Sequence, residues 1–77
     1  MGILSSDQIK SLEKAGLKKD QINIVVHNLE KFVKGAKNSA RWVDIVVHNL
    51  VTIPDYRQNF FSDPRRYIME ANPQPSP

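Results

Sequence analysis

One six-residue word occurs twice in this chain, as Ile24-Val25-Val26-His27-Asn28-Leu29 and again as Ile45-Val46-Val47-His48-Asn49-Leu50. Taken alone the word suits a buried strand, because valine and isoleucine favour the pleat and lose rotamer freedom in a helix. Its surroundings decide otherwise. Around the first copy the apolar positions are Ile22, Val25, Val26, Leu29, Phe32 and Val33, and around the second they are Val43, Val46, Val47, Leu50 and Val51. Steps of three and four mark one face of an α-helix, and no two-residue alternation competes with them. Both copies are therefore expected to be amphipathic helices. Ile24 and Ile45 fall off the apolar stripe, so each helix carries a second apolar point.

Capping signals frame these helices. Ser5 and Gln8 can form a capping box, with Leu4 and Ile9 as its hydrophobic staple, and Gly16 supplies a stop that lets Leu17 fold back on Leu12. Leu17-Lys18-Lys19-Asp20-Gln21-Ile22 repeats the pattern of residues 4 to 9, with lysine as a poor cap, and Gly35 ends the helix that follows. Asn38 or Ser39 starts the next, which Pro54 terminates. Thr52 with Asp55, and Asp63 with Pro64, begin two short C-terminal segments. The expected fold is all-α: a small single-domain helical bundle of three main helices, at about 6–15, 19–34 and 39–53, plus one or two short ones. If residues 35–38 form a tight turn, as the coincidence of a stop and a start signal there favours, the two hexapeptide helices pack as an antiparallel hairpin at its centre; if the glycine is tolerated at a cost of about 1 kcal/mol, they fuse into one long rod. The domain is expected to span residues 1–71, with a proline-rich tail over 72–77 that has nothing to bury and is expected to be disordered or extended as polyproline II.

Composition narrows the function classes. A chain of 77 residues buries roughly 60 % of its unfolded surface and gains from self-association. With no cysteine there is no disulfide and no thiolate metal site, which fits a reducing, cytoplasmic location. The apolar runs are too short to span a bilayer, and residues 1–5 lack the features of a secretory signal. Met1-Gly2 with Ser6 matches the loose myristoylation pattern, a match short enough to arise by chance. Three glycines leave no phosphate-binding loop, and neither a nucleophile elbow nor a zinc-protease motif is present. No enzymatic activity and no cofactor are expected. His27 and His48 occupy equivalent places in the repeat, but two imidazoles without a matched carboxylate or thiol make an incomplete metal site.

Two binding readings remain. The first is a non-enzymatic protein–protein interaction module, an adaptor, inhibitor or assembly subunit. Its partner is another protein or a second copy, and its contacts are Ile24, Ile45, Trp42, Phe61, Arg65 and Arg66, since aromatic and arginine side chains dominate binding hot spots. The alternative is a small DNA-binding regulator with a helix-turn-helix at about residues 9–27, reading the major groove with Lys18, Lys19, Asn23 and His27. A net charge of +3 permits nucleic-acid binding without arguing for it.

Overall fold

A computed structural model describes residues 2–73 and places five helices among them, with no strand. They are α1 (Ser6–Lys14), α2 (Lys19–Phe32), α3 (Ser39–Thr52), α4 (Pro54–Phe60) and α5 (Pro64–Glu70). The all-α expectation holds, and the three main helices end within two residues of their expected limits. Residues 74–77 of the expected tail lie outside the described residues, while Asn72 and Pro73 are half-buried.

Local chemistry explains the boundaries. The capping box at α1 is complete: Gln8 N donates to Ser5 Oγ at 3.2 Å, and Ser5 N donates to Gln8 Oε1 at 2.8 Å. At the other end Leu17 N reaches Leu12 O at 3.1 Å and Gly16 N reaches Glu13 O at 3.0 Å, a Schellman closure. It requires a left-handed residue, and Gly16 stands at φ 104°. Lysine has no acceptor, so α2 keeps only half the motif, from Lys18 N to Gln21 Oε1 at 2.8 Å. Asp63 caps α5 by accepting from Arg66 N at 3.4 Å. The expected Thr52–Asp55 box does not form. Thr52 still belongs to α3, and its hydroxyl donates back to His48 O at 2.7 Å, so Ile53 serves both as the end of α3 and the start of α4.

The two hexapeptide helices do not form the expected hairpin. Helix α2 stops at Phe32 with Val33 as its C-cap, three residues earlier in the chain than Gly35, which stands at φ 89° in the connection, so the pair is not one continuous rod either. Two successive turns follow, Ala36 N to Val33 O and Ser39 N to Ala36 O, and they carry the chain away rather than back. Helix α3 packs on α1 and α4, whereas α2 packs on α5 and α1. What α3 meets across the core is α5: Trp42 Nε1 donates to Ile68 O at 2.7 Å, and both residues are buried. The core runs from Leu4 to Ala71, drawing on every helix.

The repeated word is thus used in two environments. Val25 and Val46 are fully buried, as are Leu29 and Leu50. His27 and His48 are both exposed and Asn28 and Asn49 both half-buried, and only the other two positions diverge. Val47 is buried where Val26 is half-buried, and Ile45 is half-buried where Ile24 is 41 % exposed.

At the C-terminal end an aromatic cluster joins α4 to α5. The Tyr56 ring meets Tyr67 edge-on at 5.3 Å and Phe60 at 6.1 Å, and Phe60 meets Phe61 at 5.2 Å. Tyr56 Oη donates to Tyr67 O at 2.6 Å. Burial pushes the Tyr56 phenol up to about 12, partly opposed by a hydrogen bond with Asn49 and reinforced by the Glu70 and Tyr67 charges. An acid whose folded pKa is raised keeps its proton while the unfolded chain loses one, so stability present below pH 10 falls as pH rises from 10 toward 12. The advantage of the native protein over Tyr56→Phe in thermal denaturation is expected to shrink across that window. An advantage constant from neutral pH to pH 12 would contradict this assignment.

Candidate interaction surface

Helices α1 and α3 are in contact, and one side-chain bond joins them. Gln8 is held by its capping role through Oε1, which leaves Nε2 free to donate to Asp44 Oδ1 at 2.9 Å. On one side of this bridge lies a recess of about 620 Å³ floored by Ile3, Leu4 and Val43. On the other lies an open groove of about 540 Å³ floored by Ile45, Val47 and Val51 and rimmed by Asp7, Ser11, Arg41 and His48. Ile45 therefore lines a groove. It is positioned there because the core stripe of α3 turns Val43, Val46, Val47 and Leu50 inward, leaving Ile45 toward α1.

The six residues expected to contact a protein partner are dispersed. Ile24 stands on the exposed side of α2 and Ile45 in the α1–α3 groove. Trp42 is buried and hydrogen-bonded, so it is a core residue and unavailable to a partner; its ring needed an acceptor, and Ile68 supplies one. Phe61 is half-buried against Phe60 and edges a shallow depression with Leu17, Gln21 and Arg57. Arg65 holds its guanidinium 5.8 Å from the Phe32 ring, which Lys31 also approaches at 5.3 Å. Arg66 pairs with Glu70 at 3.3 Å and lies 5.9 Å from the Tyr67 ring.

The four residues of the nucleic-acid reading stay together. Lys18, Lys19, Asn23 and His27 are all exposed, and the last three follow one line of α2 at four-residue spacing. Asp20 and Ile24 share that exposed side.

Arg57 plays a role that composition did not announce. Its guanidinium donates to Leu50 O at 3.0 Å and Val51 O at 3.1 Å, satisfying carbonyls that the end of α3 leaves open. Among the described residues no group of three or more histidine or acidic side chains is placed to hold a metal ion, and no helix is long and apolar enough to cross a membrane. Large apolar side chains are exposed at Ile24, Ile53 and Met69. Compared with protein-family models, curated proteins and solved structures, the chain matches none of them.

Proposed function

We propose that this chain is a non-enzymatic helical module that docks on another protein through the groove between α1 and α3. The observation that carries the reading is the placement of Ile45. An apolar side chain off the core stripe of its helix lines an open groove with an apolar floor and a polar rim, the anatomy of a helix-binding surface. The bridge from Gln8 to Asp44 fixes the spacing of the two helices, so the groove is formed before a partner arrives. Grooves this open do not exclude water from a reaction, which favours binding over catalysis.

A second reading rests on the line of Lys19, Asn23 and His27 along α2, with Lys18 at its start, as a nucleic-acid surface. Asp20 on the same side would repel phosphate, and Ile24 offers it nothing.

One experiment separates them. A photo-reactive side chain in place of Thr52, the exposed last residue of α3 next to the groove residue Val51, is expected to give protein adducts in producing cells, and one in place of Asn23 is expected to give none. In parallel, purified protein is expected to leave a mixed-sequence DNA duplex unbound at low salt. A complex with the duplex that dissolves as salt rises and is lost in Lys18→Ala/Lys19→Ala would overturn the first reading in favour of the second.

A further inference from the structure

Helices α1 to α4 each carry as many cations as carboxylates, so none of them stands out by its total charge. The passage from α2 to α3 does. Between Glu30 and Asp44 the chain holds Lys31, Lys34, Lys37 and Arg41, all exposed, and no carboxylate. The fold adds a fifth cation from a distant part of the chain. Arg65, at the start of α5, lies 5.8 Å from the Phe32 ring, and Lys31 lies 5.3 Å from the same ring. Among the described residues the one ion pair is Arg66 with Glu70, so none of these five cations is paired with a carboxylate. Asp44 and Asp63, which adjoin them in sequence, already accept from Gln8 Nε2 and Arg66 N.

Arg41 joins this basic run to the docking groove. It is the last cation of the run and a rim residue of the groove floored by Ile45, Val47 and Val51. It also stands in the first turn of α3, where the positive end of the helix dipole disfavours a cation, and no acidic residue in that turn offsets it. A local rule broken in this way is expected where a residue serves a contact rather than the fold. An occupant that leaves the groove past Arg41 and follows the run must offer apolar side chains first and negative charge afterwards. A nucleic acid has the charge and no apolar side chains for the floor, and the Phe32 ring on which a base would stack is already approached by Lys31 and Arg65. An anionic bilayer presents both, but the floor is recessed between two helices rather than raised toward a flat surface. A protein segment meets both demands.

Resting on the docking reading above, we propose that the partner is a protein whose groove-bound segment continues into an acidic one, which lies on Lys31, Lys34, Lys37, Arg41 and Arg65. The apolar anchors hold the pair together. The cations steer its approach and fix the direction of the partner segment, with its acidic end at the start of α3.

The test places photo-reactive side chains at the two ends of this contact in the full chain, in place of Thr52 and in place of Lys37. Both are expected to capture the same protein in producing cells, and the peptide joined at position 37 is expected to hold more aspartate and glutamate than lysine and arginine. With the group at position 52, Lys34→Glu/Lys37→Glu is expected to cut the adduct yield about tenfold. Lys18→Glu/Lys19→Glu, an equal change of net charge at the other end of α2, is expected to keep it within about twofold. Helical circular dichroism of each variant is checked first; if the former does not fold, Lys34→Gln/Lys37→Gln, expected to cost about threefold, takes its place. Equal yields from the two charge reversals overturn the acidic segment and leave the docking face standing. So do a neutral or basic peptide at position 37, adducts there that a nuclease removes, or none there at all. No protein adduct from position 52 overturns both.

Discussion

Trp42→Ala is expected to leave the chain largely unfolded at room temperature. A domain of 77 residues has about 4–12 kcal/mol of stability in all, at the usual 0.05–0.15 kcal/mol per residue. Truncating a buried tryptophan costs about 3–5 kcal/mol. Here the same change also removes the indole bond to Ile68 O, worth about 0.5–1.5 kcal/mol, although Ala71 N still donates to that carbonyl at 3.1 Å. Trp42→Phe keeps most of the apolar contact and loses the bond, so it is expected to cost about 1–3 kcal/mol and remain folded. Urea denaturation followed by helical circular dichroism measures both. A Trp42→Ala protein with native-like stability would mean that the indole does not join α3 to α5.

Leu29→Ala and Leu50→Ala are expected to destabilise the domain heavily and to similar extents, about 2–5 kcal/mol each. They occupy the same letter of the repeated word and are both fully buried. The first letter behaves differently. Ile24→Ala is expected to change stability by no more than about 0.5 kcal/mol, as exposed substitutions do, while Ile45→Ala costs more because its side chain packs against the core. Denaturant midpoints of the four variants check the pattern. Equal costs at Ile24 and Ile45 would contradict the two environments assigned to the word.

These pairs show where sequence carried information and where it stopped. Helix limits were legible because their causes are local: the Ser5–Gln8 box and the Gly16 turn each lie within a few residues of the ends they define. So was the buried stripe, Val25 with Leu29 and Val46 with Leu50, since period alone determines it. Which helix lies against which was not legible. Two glycine-separated helices with one shared word suggested a hairpin, yet the contacts that place α3 come from 26 residues away at Ile68 and 36 residues away at Gln8. No local pattern encodes those partners.

The same limit divided the candidate site. Trp42 looks like a hot-spot residue by type, and only the position of α5 shows that its N–H is already engaged. Ile24 and Ile45 are identical by sequence context, and the presence of α1 beside one of them makes the difference. Arg57 could not be separated from the other basic residues until the end of α3 lay next to it. Lys18, Lys19, Asn23 and His27 kept the exposure expected of them because all four sit at the start or along one side of a single helix.

The α1–α3 face as a docking surface for another protein is the central claim, and cross-linking in producing cells from photo-reactive side chains placed on the two candidate faces tests it most directly. The expected result is protein adducts from a photo-reactive group in place of Thr52 and none from one in place of Asn23. Adducts from the Asn23 position alone, or from neither position, would contradict it.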